Sequence, residues 1–213
     1  MNDEVLTAIV KSVEEKIIGR VANISHDGIT NNVEVVLYFI AEAVSGNYLE
    51  IGTLFGGSAI PVAILKKLLK QSGLVFCIDP LNGYYRGRFG PDNEIDPHSA
   101  GYAVTPETLF QNIKLFGVGD RIFVMQASST DCPSLDFLEF SVAYIDGDHW
   151  NGVPVRDWLY VKDHVTRFVI FDNCDDHHLD VQAACKVAAA DPEWECVYDE
   201  GISYVVERIE CVE

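Results

Sequence analysis

Positive charge is scarce in this sequence: 15 Lys and Arg against 33 Asp and Glu leave a formal net charge of −18 over 213 residues. Such a chain repels a phosphate backbone at long range and opposes the counterion release that drives nucleic-acid binding, so nucleic acid is disfavoured as a partner. Long apolar runs are missing as well. No stretch reaches the roughly 18 uninterrupted apolar residues of a membrane span, and the opening "MNDEVLTAIVKSVEEK" is acidic and amphipathic. A soluble, cytoplasmic protein without a membrane partner is the expectation. The six cysteines, at 77, 132, 174, 185, 196 and 211, include no C-x-x-C pair, which points to reduced thiols. There is no internal repeat, low-complexity tract or Pro/Gly/Ser linker long enough to divide two domains. With 48% hydrophobic residues, the chain can bury a full core as one domain over 1–213.

What is present is an alternation. Short β-rich runs, "NYLEI" (47–51), "LVFCID" (74–79), "RIFVMQ" (121–126), "FSVAYID" (140–146) and "RFVIFD" (167–172), are separated by segments with apolar residues at three-to-four spacing. Those segments are "SAIPVAILKKLLK", "TPETLFQNIKLFG", "GVPVRDWLYVKDH" and "LDVQAACKVAAA", and residues 1–45 read as a helical lead-in. The pattern predicts an α/β fold, a Rossmann-like, doubly wound and mostly parallel sheet covered by helices. At the end, "EWECVYD" and "ISYVVERI" are separated only by Glu200 and Gly201, which predicts an antiparallel C-terminal hairpin and seven strands in all.

In open α/β sheets ligands bind beyond the carboxyl ends of the strands. The first strand ends at Glu50, the second at Asp79, the fourth at Asp146 and the fifth at Asp172 and Asn173. Any one of these acids can be read as a cap on the following helix; four together on one edge fit that reading poorly. Glu50 also opens "EIGTLFGGS", which carries neither the lysine of a G-K-[ST] phosphate loop nor the G-x-G-x-x-G spacing. A ligand other than a phosphate is indicated.

Glu50, Gly52, Gly56 and Ser58, followed by the acid Asp79 at the end of the second strand, resemble the S-adenosylmethionine site of class I methyltransferases. The resemblance implies that the glycines let the backbone approach the methionine part of the cofactor and that Asp79 accepts the ribose hydroxyls. A carboxylate suits paired hydroxyl donors and a ligand carrying a sulfonium and an ammonium. Ser128, in "MQASSTD", resembles the family's adenine-side turn. In "SHDGIT", Gly28 and Thr30 match a less specific pattern that closes over the amino-acid end of the cofactor, although Thr30 reads at least as well as a plain N-cap.

"YIDGDHW" with "IFDN" further resembles the catechol, caffeoyl-CoA and macrocin-type O-methyltransferases, and the likeness runs over nearly the whole chain. It implies that Asp146, Asp172 and Asn173 bind one Mg²⁺ or Mn²⁺, with Asp146 also close to the cofactor. These are hard oxygen donors suited to such an ion. His149 stands three residues after Asp146, the offset of the general base in those relatives, and a neutral imidazole is an effective proton acceptor near neutral pH. Asp148 can orient that imidazole or touch substrate. His177 and His178, in "NCDDHHLD", belong to a solvated loop or a helix start rather than to a second metal site. The segment 81–104, with Tyr84, Tyr85, Arg86, Arg88, Phe89 and Tyr102, is long enough to act as a substrate loop or to be a plain surface excursion. Trp158 is expected in the core and Trp150 near the acceptor.

The expected function is metal-dependent O-methyl transfer to a small molecule with vicinal oxygens: a sugar, a natural product or a catechol-like compound. The alternatives are a metal-independent N- or O-methyltransferase and a non-catalytic cofactor-binding protein of the same fold. Whether the chain forms a homodimer is left open.

Overall fold

The computed structural model describes residues 3–19, 32–83, 103–132, 135 and 137–209. Two helices, α1 (Asp3–Glu14) and α2 (Asn32–Glu42), lead into β1 (Asn47–Ile51), α3 (Ala59–Leu68), β2 (Val75–Asp79), α4 (Pro106–Leu115) and β3 (Ile122–Gln126). There follow β4 (Phe140–Ile145), α5 (Val153–Val161), β5 (Val165–Phe171), α6 (Leu179–Ala189), β6 (Trp194–Glu200) and β7 (Ser203–Arg208). The strands form one seven-stranded sheet in the order β3-β2-β1-β4-β5-β7-β6. β1 to β5 run parallel, and β7 lies antiparallel to both β5 and β6. The fold expected from the alternation is therefore present, including the terminal hairpin.

Most element boundaries fall within two residues of the sequence pattern. β5 begins at Val165 rather than 167, because Val165 is fully buried and pairs with Phe140 while Thr166 and Arg167 interrupt the apolar run. β6 runs through Glu200, so the turn comprises Gly201 and Ile202. α4 starts where Thr105 accepts a hydrogen bond from the backbone N–H of Thr108 and Pro106 occupies the first turn, both favourable at a helix start.

The pleat explains where the chemistry falls. Successive strand residues face opposite sides of a sheet. Tyr48, Val75, Cys77, Val142, Tyr144, Phe168 and Ile170 join one core with residues of α1, α2, α3 and α4. Leu49, Ile51, Phe76, Ile78, Ala143, Ile145, Val169 and Phe171 join the other, with α5 and α6. Trp158 lies fully buried in this second core, as expected. Continued to the strand ends, the parity places Glu50, Asp79, Asp146 and Asp172 all on the first side, at the carboxyl edge. β1 and β4 are adjacent although β2 and β3 lie between them in sequence, so the switch in strand order falls among these acids.

Candidate active site

The turn after β1 is held by its own carboxylates. Glu50 is fully buried and accepts hydrogen bonds from the Tyr48 hydroxyl at 2.7 Å and the Thr53 hydroxyl at 2.6 Å. Burial pushes its pKa up to about 6, against the lowering influence of Thr53, Tyr48 and Ser58. Ser58 precedes α3 without capping it; its hydroxyl serves Glu50 instead. Asp79 takes the N–H groups of Thr53 and Leu54 on Oδ2, each at 2.9 Å, and that of Leu81 on Oδ1 at 2.8 Å. A carboxylate offers about four lone-pair sites, so Asp79 keeps acceptor capacity for a further donor.

Gly52 is required where it sits. Its φ is +90°, and a Cβ there would stand 2.0 Å from the carbonyl oxygen of Asp146, so the β1 turn and the β4 loop touch backbone to backbone. Gly56 also has a positive φ, and a Cβ would press on the Ile60 and Leu109 side chains. Ser128 lies past β3, where it caps the short turn Ser129–Asp131 and pairs with the Thr130 hydroxyl at 2.8 Å. Thr30, Gly28 and the aromatic and cationic residues expected of the 81–104 loop lie outside the described residues.

The second half of the site is less well satisfied. Asp146 and Asp172 face each other closely enough that each governs the other's proton, and both carboxyls are raised, by burial first. Asp172 accepts from the Asn32 amide at 2.5 Å. Asn173 follows with φ +55°, a left-handed conformation that Asn tolerates better than most residues. His149 Nε2 stands 3.5 Å from Asp146 Oδ1, buried and without a hydrogen-bond partner. Burial holds its pKa below the ordinary 6.5, against the opposing pull of Asp172, Asp148, Asp175 and Asp157. The imidazole is thus disposed to be neutral, with a free nitrogen beside two acids. Asp148 is exposed and closes its own turn onto the N–H of Trp150 at 3.1 Å. Trp150 is exposed and its ring tilts against that of His178.

By their chemistry, the side-chain oxygens of Asp146, Asp172 and Asn173 are of the hard kind that a divalent ion such as Mg²⁺ takes. Two carboxylates pressed together in a desolvated setting repel each other unless a proton or a cation lies between them. Among the described residues no three His, Cys, Asp or Glu side chains are grouped to hold a metal. The set instead consists of two carboxylates and an amide.

Two participants escaped the sequence reading. Asn32 is buried on Asp172; its signal was a polar residue opening the otherwise apolar α2, "NVEVVLYFIAE". Asp157, buried in α5, accepts from the Ser129 hydroxyl at 2.6 Å, while its Oδ2 has no partner and would lie 3.4 Å from a Cβ at Gly147. Burial raises its pKa to about 6. Its only signal was an acid next to a core tryptophan.

No protein-family model matches the chain, and no curated protein sequence does. Solved structures do. The O-methyltransferase NovP superposes with a TM-score of 0.71 at 16% identity, over 97% of this chain and 99% of that one. Cofactor-bound Rv0187 from MTB gives 0.63 at 17% identity, over 97% and 88% of the two chains. The O-methyltransferase from Bacillus cereus in complex with SAH gives 0.61 at 16% identity, over 99% and 92%. The chain has the Rossmann-like fold of these methyltransferases. No helix among the described residues is long and apolar enough to cross a membrane.

Proposed function

We propose that the chain is an S-adenosylmethionine-dependent O-methyltransferase that uses a divalent ion and acts on a small molecule with vicinal oxygens. The observation that supports this most is the convergence of four carboxylates on one side of the sheet's carboxyl edge, with the unpartnered Nε2 of His149 beside two of them. Mutual repulsion within that group favours a positively charged ligand, and the proposed cofactor carries both a sulfonium and an ammonium. The cofactor and SAH named with the solved neighbours belong to those proteins; the shared fold makes S-adenosylmethionine a natural candidate here.

In this reading Asp79 uses its remaining acceptor capacity on a ribose hydroxyl, and the turn it holds presents its backbone to the methionine part. Glu50 stays buried beneath the turn and fixes Thr53. Ser128 bounds the adenine side. Thr30 is carried as a cofactor contact from the sequence alone. Asp146, Asp172 and Asn173 would hold Mg²⁺ or Mn²⁺, which supplies charge that draws two acceptor oxygens together and eases loss of a hydroxyl proton. His149 accepts that proton on Nε2. With the imidazole neutral near pH 7, no prior deprotonation is needed.

A metal-free variant remains the second reading, because a proton shared between Asp146 and Asp172 also satisfies the pair. The experiment that separates them is turnover of vicinal-diol and catechol acceptors with S-adenosylmethionine, in Mg²⁺ and in excess chelator. Turnover that disappears on chelation and returns with Mg²⁺ or Mn²⁺ supports the metal reading. Undiminished turnover in chelator favours the alternative, and binding without turnover of any acceptor favours a cofactor-binding protein. Residues 81–104 are proposed as the acceptor loop of the single domain, in a protein of the cytoplasm that binds neither nucleic acid nor membrane.

A further inference from the structure

The start of α6 packs on the loop that carries His149, and nothing in the proposed chemistry uses it. Asp175 Oδ1 lies 2.9 Å from His178 Nδ1 and also accepts the backbone N–H of His177 at 2.8 Å. The N–H of His178 returns to the carbonyl of Asp175 at 3.1 Å, so the carboxylate and the ring belong to one closed turn. The ring of His178 stands nearly perpendicular to that of His149, at 77° and 5.0 Å between centroids. Its other neighbour is Trp150, tilted at 5.7 Å. Two residues further on, Asp180 Oδ2 accepts the N–H of Gly152 at 3.3 Å, a second tie between the same two segments.

From this arrangement we propose that Asp175 and His178 form a positioning pair for His149: Asp175 fixes the His178 ring, and that ring walls the His149 imidazole so that Nε2 stays aimed at Asp146. His149 lies on the short stretch between β4 and α5, its Nε2 makes no hydrogen bond, and its nearest charged neighbour is 3.5 Å away. Without the second ring, no described hydrogen bond holds the imidazole plane. His177 is exposed and contributes its backbone only. The proposal rests on the reading of His149 as the base for its effect on catalysis, but not for its effect on the ring itself.

The test uses the full chain: the ring is observed with S-adenosylhomocysteine bound, and kcat and KM are read separately with S-adenosylmethionine and whichever vicinal-diol or catechol acceptor the wild type turns over. Aromatic ¹³C relaxation reports the order of the His149 ring, assigned by the signal lost in His149→Ala. In His178→Ala the ring should gain motion, kcat should fall roughly tenfold to a hundredfold, the scale at which a misplaced group loses its advantage, and KM should hold within about twofold. His178→Phe, which keeps a ring at the same place, should restore both His149 order and most of kcat; Asp175→Asn should give a milder form of the alanine effect. An unchanged His149 ring in His178→Ala, with the variant folded, overturns the pair whatever kcat does. Gained ring motion with unchanged kcat upholds the pair and instead removes His149 from the role of base.

Discussion

The two halves of the site differ in how they treat polar atoms. Around β1 and β2 every acid is answered from within: Glu50 has two hydroxyl donors and Asp79 has three backbone N–H groups. Around β4 and β5 the acids face one another, and His149 Nε2 and Asp157 Oδ2 are buried without partners. Buried polar atoms are ordinarily paired, and an unpaired one calls for an explanation, a ligand or an ion among them. The first half is therefore a preformed cradle, held in shape whether or not it is filled. The second leaves its charges and polar atoms unanswered, which is what the proposed ion and substrate would complete.

That contrast is most forcefully broken at His149. His149→Ala should lower turnover roughly 10²- to 10⁴-fold, the worth of a positioned general base, while cofactor affinity is kept. In the wild type the rate should rise with pH through the imidazole pKa and reach its plateau early, since burial depresses that pKa below 6.5. Single-turnover rates across pH in both proteins check this; coincident profiles would leave His149 without a role.

A smaller effect is expected in the first half. Burial raises the Glu50 pKa from 4.5 to about 6, so the folded chain holds that proton more tightly than the unfolded one. The stability this gives is complete below pH 4.5 and is lost as pH climbs through about 6. The shift amounts to about 2 kcal/mol at roughly 1.4 kcal/mol per pKa unit. Urea unfolding between pH 4 and 8 should show the decline, and Glu50→Gln should remove that part of it.

The smallest effect sharpens the comparison. Asp172→Asn relieves the repulsion with Asp146 and leaves an oxygen for the Asn32 amide, so the ligand-free fold should become slightly more stable. Asp79→Asn should do the reverse, because it replaces one of the oxygens that hold Thr53, Leu54 and Leu81 by a donor. Thermal melts of the two variants that moved in the same direction would erase the distinction between cradle and unfinished site.

The preformed half was the more legible in the sequence. Glu50, Gly52 and Asp79 lie at or just past the ends of short apolar strands, where the alternation of strand and helix patterns locates them without any tertiary knowledge. Asp146 and Asp172 were legible for the same reason. Asn32, Asp157 and the pairing of His178 with His149 were not, because each acts across a long sequence separation and looks locally like a helix start or a core edge. Ser58 read as a cofactor contact and is found turned toward Glu50, a preference decided by the buried carboxylate and not by the turn.

The division of labour between the halves is tested most directly by calorimetric titration of S-adenosylhomocysteine into the wild type, Asp79→Ala and Asp172→Ala, each without added metal. The wild type should bind, Asp79→Ala should bind more weakly by about 1.5–3 kcal/mol, the scale of hydrogen bonds to a charged group, and Asp172→Ala should match the wild type within about twofold. Absence of binding to the wild type, or equal binding by Asp79→Ala, would contradict the account.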